Sequence, residues 1–340
     1  MSAAAARSPL VTVVTPCLDP GWRLERCIAS VAAQTYAHVE HVVVDGASTD
    51  GTVELLRGTP SVKWVSEPDS GQTDAINKGF AMGGGEILTW LNADDELLPD
   101  AVEKAVACFA DPAIGWSYAN TELVYPDKTQ TWVAPATLRP DSFDWIMPFP
   151  QQGWFIARWA LDRVGPLDET FHLSMDYDLC LRLFTAGIPH CYVPSTLARF
   201  EVHAESKTGS TSYVAFIDEG ARAMRKAGRL TAFYMAMGQR CAYLSAEDDR
   251  VDRARLRAEV LSTVADHAGR PRRDRAAVKA GAYTAAAQIE LKSERNPKPL
   301  RSLGWLLRPE PWRFGVTRGR SMDLAKTAVR RRLGGSPRSR

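Results

Sequence analysis

The run from Asn92 to Asp95 places two carboxylates and an amide side by side, directly after the apolar stretch Ile87–Leu91. Carboxylates crowded into one loop repel each other and favour a nearby cation. Their oxygens suit Mg²⁺ or Mn²⁺, and these ions also bind substrate phosphates. The structural alternative is that Asp95 and Glu96 favour the dipole of a helix predicted to begin near Pro99. The run therefore indicates either a metal site for a phosphorylated substrate or a helix start.

Two further polar loops could contact a nucleotide. Asp45 follows the apolar stretch His41–Val44 and precedes a run of small residues, so its carboxylate could accept hydrogen bonds from a base or a ribose. Asp50, in the same loop, is expected to be mainly structural. The loop from Glu67 to Gly79 opens a helix, and backbone N–H groups there could face a diphosphate. Ordinary turns with Asp or Thr caps are the structural alternative for both loops, although they explain Asp45 less easily.

Two later positions could complete a reaction centre. Asp176 and Asp178 open a predicted helix, and one of them could act as a general base if it faces a cleft. Helix capping would explain both aspartates without any catalysis. His203 stands in a loop with Ser206 and Lys207, a combination that suits phosphate contact, although a lone histidine is also compatible with a purely structural role.

The elements around these residues alternate between strand and helix patterns. Short apolar, β-branched runs predict four strands, and the first of them is expected to stop at Pro16. The predicted strands are Leu10–Thr15, His41–Val44, Val62–Val65 and Ile87–Leu91, and the predicted helices are Leu24–Gln34, Thr52–Arg57, Asp74–Met82 and Pro99–Phe109. This alternation predicts an α/β fold with a mostly parallel sheet sandwiched by helices. Because ligands bind beyond the carboxyl ends of such strands, the polar loops should converge on one edge.

Composition divides the chain further. A hydrophobic content of 45% in 340 residues is enough for a large core. The formal net charge of +2 conceals an uneven distribution, because residues 293–340 carry 13 Lys and Arg against 3 Asp and Glu. We expect an α/β domain over residues 1–210, with a nucleotide-sugar half at about 9–120 and an acceptor half at about 121–210. A helical extension over 211–292 and a basic tail over 293–340 would follow.

The cysteines and the apolar runs bear on location. Six scattered cysteines without a CxxC pair are typical of reduced thiols in a cytosolic protein. No apolar run is long enough for a signal peptide or a membrane-spanning helix. The expected location is therefore cytoplasmic. An Arg-rich tail that carries Trp305 and Trp312 could add peripheral contact with the inner face of the membrane, although a solvated tail would explain its composition as well.

Taken together, these segments resemble the family 2 glycosyltransferases, which have the GT-A fold. The similar segments are Val13–Pro16, Cys27–Tyr36, Val42–Thr52, Asp69–Gly79 and Gly85–Asp95. Each motif is short, but five of them in the family's order and spacing are specific. The resemblance covers roughly residues 9–207.

The resemblance implies roles for particular residues. Thr15, Pro16 and Asp45 would hold the nucleobase and ribose, and Asp69, Gly71, Asp74 and Asn77 would line the nucleotide pocket. Asn92, Ala93 and Asp94 stand at the family's DxD motif, with Asp94 as direct ligand of Mg²⁺ or Mn²⁺ and His203 as a second metal or diphosphate contact. Asp176 stands where the family places its catalytic base. Two positions depart from the family pattern, since Asn92 replaces the first Asp of DxD and Met175 replaces the Glu that often precedes the base.

The implied activity is an inverting, metal-dependent transfer of a sugar from a nucleotide-diphosphate sugar to an acceptor hydroxyl, with a UDP-sugar as the expected donor. A saccharide or lipid-linked acceptor in cell-surface polysaccharide or glycolipid assembly fits this activity, and no nucleic acid is expected as a partner. One alternative is a catalytically degenerate nucleotide-sugar-binding protein, in which the changes at Asn92 and Met175 mark lost catalysis. Another is a nucleotidyltransferase, which would need a Gly-rich, basic N-terminal loop that Thr15–Gly21 does not provide.

Overall fold

The computed structural model describes residues 8–144, 147–203, 205–207 and 213–229. The chain divides into two compact units, residues 1–223 and 224–340, and every side-chain contact given below lies within the first. The predicted helices beyond residue 229 and the basic tail lie outside the described residues. The predicted division at residues 210 and 292 therefore stays an expectation.

Helices and strands alternate through most of the described chain. The strands are β1 (Val11–Cys17), β2 (Val39–Asp45), β3 (Val62–Ser66), β4 (Ile87–Trp90), β5 (Glu96–Leu97), β6 (Trp116–Val124), β7 (Thr129–Trp132), β8 (Phe155–Ala157) and β9 (His190–Glu201). The helices are α1 (Arg23–Ala32), α2 (Thr52–Arg57), α3 (Gln72–Met82), α4 (Ala101–Cys108), α5 (Arg158–Val164), α6 (Met175–Thr185) and α7 (Tyr213–Lys226). No helix among these residues is long and apolar enough to cross a membrane.

One sheet joins all of these strands, in the order β3-β2-β1-β4-β8-β6-β9-β5, with β7 paired to β6. Strands β1 to β4 pair in parallel, as the alternating pattern predicts. Antiparallel pairs then enter at β8, between β4 and β6. The α/β class is confirmed. The parallel part carries the loops that the sequence assigned to a nucleotide, and the mixed part carries the later candidates.

Helix α3 lies against β1 at very short range because small residues face the strand. A Cβ atom on Gly79 would lie 2.3 Å from Cγ1 of Val14, and one on Gly83 would lie 2.4 Å from Cγ2 of Thr12. Real Cβ atoms do not approach that closely, so only glycine fits at both positions. This packing fixes the start of α3 relative to the carboxyl end of β1.

Strand β1 does not stop at Pro16, as the sequence had suggested, but continues to Cys17. Pro16 pairs with Val44 of β2, whereas pairing with β4 ends at Val14. Because β4 no longer runs beside Pro16, the missing N–H group removes no bond from that ladder. Thr15 thus lies in the strand as predicted, and Pro16 is a strand residue as well.

The prediction that all the cysteines are reduced is wrong for one pair. Cys108, at the end of α4, and Cys191, near the start of β9, form a disulfide with a Cα–Cα distance of 6.0 Å. They are 83 residues apart in the chain, and only the packing of α4 against β9 brings them together. Cys17, Cys27 and Cys180 are free and buried.

Candidate functional site

The carboxyl end of the parallel strands gathers residues from three predicted motifs. Thr15 and Pro16 lie at the end of β1, Asp45 is the last residue of β2, and Asp94 lies in the loop after β4. The register places Cys17 beside Asp45, and Asp45 beside Ser66 of β3. The predicted convergence at one edge is what the sheet order produces.

Asp45 is fully buried, and protein groups satisfy its carboxylate. Ser66 Oγ donates to Oδ2 at 2.6 Å, Ser48 N donates to the same oxygen at 3.1 Å, and Ser48 Oγ donates to Oδ1. The Cys17 thiol lies 3.7 Å from Oδ1. The side chain therefore shapes the loop after β2, and a nucleobase would reach it only by replacing one of these donors. Asp50 accepts from Gly21 N and Thr52 N, which gives it the structural role expected of it.

Thr15 also points into the protein. Its hydroxyl lies 2.9 Å from Nε2 of His41 and 3.5 Å from the Cys27 thiol. His41 is buried, and this burial lowers its pKa to about 4, so its imidazole is neutral at pH 7. The Thr15 hydroxyl is therefore already engaged inside the protein.

The loop that opens α3 is held by its own side chains. Asp69 Oδ1 accepts from Gly71 N at 2.8 Å, and Asp74 Oδ2 accepts from Ser70 N at 2.9 Å. Gly71 has a φ of 115°, a backbone conformation that residues with a side chain rarely adopt. The carboxylate of Asp69 also lies against Gly46, because a Cβ there would be 2.9 Å from Oδ2. Asp69 therefore borders the loop after β2, and Gly71 is held beside it by its N–H group.

Asn77 is engaged elsewhere. Its amide donates to Leu167 O at 3.0 Å and accepts from Leu167 N at 3.1 Å. It fastens α3 to the loop before α6. The structure gives it this bridging contact, and its predicted place in a nucleotide pocket stays an expectation. Thr73 makes a similar link, through a hydroxyl that donates to Phe171 O at 2.7 Å.

The motif after β4 is hydrogen-bonded on both sides. Asn92 Oδ1 accepts from Gln72 Nε2 at 2.7 Å, and Asn92 Nδ2 donates to Asp95 Oδ2 at 3.0 Å. Asp95 also accepts from Gln152 Nε2 at 2.8 Å and from Glu201 N at 3.1 Å. Burial raises the pKa of the Asp95 carboxyl and the charge of Asp94 adds to this, whereas the three hydrogen bonds oppose it. Asp95 is therefore a buried anchor of the motif.

Asp94 turns to the other side and meets His203. Its Oδ2 lies 3.1 Å from His203 Nε2, although 109 residues separate the two in the chain. Both side chains keep some exposure, 23% for Asp94 and 15% for His203, so solvent or a ligand can reach them. The other ring nitrogen of His203, Nδ1, is buried and has no hydrogen-bond partner among the described residues. The structure thus brings together the two residues that the sequence proposed as metal ligands.

This pair fits a divalent cation that is shared with a substrate. One carboxylate oxygen and one imidazole nitrogen are donors that Mn²⁺ accepts, and Mg²⁺ or Mn²⁺ usually completes its shell with substrate phosphates and water. Among the described residues, no group of three or more His, Cys, Asp or Glu side chains could hold a metal without such help. The donor set suits a metal that arrives with a diphosphate better than a permanently bound ion.

Asp176 is the second residue of α6. Its carboxylate is partly buried and accepts a hydrogen bond from Tyr177 N at 2.7 Å. Burial raises its pKa to about 6, and the neighbouring Glu219 adds a small increase. Backbone N–H groups and the charge of Lys207 lower it again. A carboxyl group with a pKa in this range is ionised at pH 7 and still basic enough to take a proton. Asp178, by contrast, is tied to Arg182 at 2.8 Å.

Sequence reasoning missed the residues that hold the segment before Asp176. Glu219 of α7 is buried, and its carboxylate accepts from the backbone N–H groups of His172, Leu173 and Ser174 at 2.7–2.9 Å. Arg222 of the same helix donates to Thr170 O at 2.9 Å. Nothing in the sequence around Glu219 marks it as the partner of a loop 45 residues earlier.

Comparison with known proteins gives a family model match over residues 12–175, and that model describes glycosyl transferase family 2. An uncharacterized glycosyltransferase of Mycobacterium tuberculosis is 40% identical over 84 residues, which are 24% of this chain and 32% of that protein. The chain thus spans about a third of the length of this relative. A PGL/p-HBAD biosynthesis glycosyltransferase of Mycobacterium tuberculosis is 28% identical over 194 residues, covering 52% of this chain and 71% of that protein.

The fold is similar to that of a solved structure. S. aureus TarS 1-349, crystallised in complex with UDP-GlcNAc, aligns over 97% of this chain and 93% of its own length, with a TM-score of 0.55 and 12% identity. An identity this low supports the fold alone. The architecture is accordingly of the GT-A type, as the sequence predicted.

Proposed function

Because the model of glycosyl transferase family 2 matches residues 12–175, we propose that this protein transfers a sugar from a nucleoside-diphosphate sugar to an acceptor hydroxyl, with inversion at the anomeric carbon. The observation that carries the proposal is the convergence of Asp94 and His203 at the carboxyl edge of the parallel strands. The proposed site uses the residues that the sequence motifs mark, and it lies where α/β sheets bind ligands.

The donor would lie across the ends of β1 and β2. Asp45 and its serine partners shape the loop that would face the base and ribose. Asp69, which accepts from Gly71 N, lies against Gly46 of the same loop. The proposed nucleotide-sugar-binding set is completed by Asp74, Asn77, Asn92 and Ala93, and of these Asn77 acts through the loop at Leu167. A UDP-sugar is the proposed donor, in line with the UDP-GlcNAc bound to TarS.

Asp94 and His203 would hold Mg²⁺ or Mn²⁺ together with the diphosphate. A metal held there would neutralise the charge that develops on the leaving nucleoside diphosphate. Asp176 takes the proton of the acceptor hydroxyl while that oxygen forms its bond to the anomeric carbon and the bond from that carbon to the diphosphate oxygen breaks. The loop held by Glu219 keeps the base at its place on α6.

The acceptor is proposed to be a saccharide or a lipid-linked molecule in the assembly of a cell-surface polysaccharide or glycolipid. The relative named for PGL/p-HBAD biosynthesis supports this class of pathway, since it matches more than half of the chain. Peripheral contact with a membrane through residues 293–340 would bring the enzyme to such an acceptor, and that segment lies outside the described residues.

The test is a thermal unfolding series with UDP, GDP and their sugar conjugates, each with and without Mn²⁺. A ligand that binds only the folded state stabilises it by RT ln(1 + [L]/Kd), about 2.7 kcal/mol at 100 Kd, and so raises Tm. We expect one nucleotide to raise Tm in the presence of Mn²⁺, and Asp94→Ala and His203→Ala to abolish that increase.

Asp162→Ala is the matched control, because Asp162 is an exposed aspartate on α5 outside the proposed site. It should respond to the nucleotide as the wild type does. No increase with any nucleotide would refute the proposed donor site. A metal-dependent increase without transfer or hydrolysis of any donor sugar would favour a nucleotide-sugar-binding protein instead.

A further inference from the structure

Four side chains form a continuous chain of hydrogen bonds beside the proposed metal site. Lys207 Nζ donates to Gln72 Oε1 at 2.7 Å, Gln72 Nε2 donates to Asn92 Oδ1 at 2.7 Å, and Asn92 Nδ2 donates to Asp95 Oδ2 at 3.0 Å. The chain joins three segments that are distant in sequence: the residues after His203, the start of α3 and the loop after β4. We call it the Lys207–Asp95 chain.

The two ends of the Lys207–Asp95 chain determine the direction of every bond in it. A lysine ammonium can only donate, and both oxygens of Asp95 accept hydrogen bonds in this structure. Gln72 must therefore turn its oxygen to Lys207 and its NH₂ to Asn92. Asn92 must in turn present its oxygen to Gln72 and its NH₂ to Asp95. Each of the two middle positions has to accept on one side and donate on the other, which an amide does and a carboxylate does not.

We propose that Asn92 is a positioning residue whose amide holds the loop of Asp94 through Asp95, and that the family's aspartate at this position would disrupt this particular site. The inference rests on the proposed function, since it takes Asp94 as the residue that meets the metal. On this proposal, the asparagine in place of the first Asp of DxD does not mark the loss of a metal ligand. It is the residue type that the hydrogen bonds with Gln72 and Asp95 require.

The Asn92→Asp variant would still accept from Gln72, but it would direct an oxygen at Asp95 Oδ2, which lies 3.0 Å from the atom it replaces. Two acceptors at that distance repel each other, and the buried Asp95 Oδ2 then keeps only its hydrogen bond from Gln152. Exchanging the two residue types restores this bond, because an asparagine at position 95 can donate to an aspartate at position 92. Gln152, which donates to Asp95 Oδ2 in the wild type, must then turn its amide oxygen towards position 95. The swapped site also keeps the net charge of the wild type.

The experiment compares Asn92→Asp, Asn92→Ala, Asp95→Asn and the double variant Asn92→Asp/Asp95→Asn in the full chain. Two quantities are measured for each: Tm without ligand, and the Mn²⁺ concentration that gives half of the nucleotide-induced increase in Tm, with UDP and GDP as probes. Gln130→Glu adds a negative charge at an exposed position of β7 and controls for charge alone.

We expect Asn92→Asp, Asn92→Ala and Asp95→Asn each to lower Tm by at least about 2–4 °C and to raise the Mn²⁺ midpoint by about tenfold, the factor that corresponds to losing one well-oriented supporting contact. The double variant should lie closer to the wild type than either parent in both quantities. A purely structural role would change Tm and leave the Mn²⁺ midpoint unchanged.

Three results would overturn the proposal. The first is a Mn²⁺ midpoint for Asn92→Asp at or below that of the wild type. The second is a double variant whose changes in Tm and Mn²⁺ midpoint equal the sum of those of its parents. The third is an Asn92→Ala variant with the Tm and Mn²⁺ midpoint of the wild type. If UDP, GDP and their sugar conjugates all fail to raise Tm in the wild type, the proposed function fails, while the ligand-free Tm values still decide whether Asn92 and Asp95 are coupled.

Discussion

Asp176 shows how its position in the fold raises the pKa of a carboxyl group into the range that suits a general base. It lies in the first turn of α6, where burial raises its pKa to about 6. Asp178, two residues later, is also buried but forms an ion pair with Arg182. The sequence could mark both as candidates because both open the same helix. Only the structure separates them, because Asp178 is paired with Arg182, whereas Asp176 interacts electrostatically with Lys207.

The pH dependence of turnover follows from the raised pKa of Asp176. A base must be ionised to accept a proton, so the active fraction is lost as the pH falls through about 6. We expect kcat/KM to be level above pH 7 and to fall about tenfold per pH unit well below 6.

Asp176→Asn should keep the nucleotide-induced increase in Tm and lose turnover by about a hundredfold or more. Asp162→Asn serves as the control. A fully active Asp176→Asn enzyme would exclude Asp176 as the base.

Other site residues show where sequence reasoning stops. Asp94 and His203 were proposed on motif grounds, and folding brings them within 3.1 Å of each other. Thr15 and Asp45 were proposed on the same grounds, yet their polar atoms are already bonded to His41, Ser48 and Ser66. A motif predicts which residue stands at a strand end. It does not predict which way that side chain turns, because partners from other strands decide this.

At the scale of elements, the contact between α3 and β1 sets the geometry of the donor site. The sequence predicted both elements from apolar periodicity, and it placed the start of the helix at Asp74, whereas the helix begins at Gln72. It gave no reason for Gly79 to lie inside the helix, where glycine costs about 1 kcal/mol relative to alanine. The reason is steric, since the side chain of Val14 occupies the space that a Cβ would need.

Gly79→Ala should therefore destabilise the protein despite alanine's better helix propensity. The added Cβ would lie 2.3 Å from Val14 Cγ1, and Val14 is fully buried and cannot move away. Overpacking of this kind costs about 1–3 kcal/mol, which exceeds the gain in propensity. Gly84→Ala is the control, because the nearest atom would lie 3.8 Å away. Urea unfolding of both variants measures the difference, and equal midpoints would contradict the close packing.

At the scale of the molecule, the parallel part of the sheet was predictable and the mixed part was not. Local patterns give strand and helix order, and parallel pairing follows when they alternate. The insertion of β8 between β4 and β6 depends on pairings between distant segments. The disulfide between Cys108 and Cys191 also depends on contact between distant segments, and the sequence around neither cysteine indicates its partner.

The disulfide closes a loop of 83 residues and should stabilise the fold by restricting the unfolded chain. Chain entropy puts the effect at about 4–5 kcal/mol for a loop of this length, or on the order of 10 °C in Tm. A reductant should lower the Tm of the wild type by about this amount, and it should leave the Tm of the double variant Cys108→Ser/Cys191→Ser unchanged. Thiol counting under denaturing conditions provides the check. If all six cysteines react without reductant, no disulfide is present.

The carboxylate of Glu219 covers three consecutive amides in the loop that leads to Asp176. Amides bonded in this way exchange their hydrogen for deuterium only when the bond opens. The exchange rates of His172, Leu173 and Ser174 thus record how often Glu219 of α7 departs from that loop. Their deuterium uptake therefore measures how often the hydrogen bonds between Glu219 and the loop before Asp176 break, and no substrate is needed for this measurement.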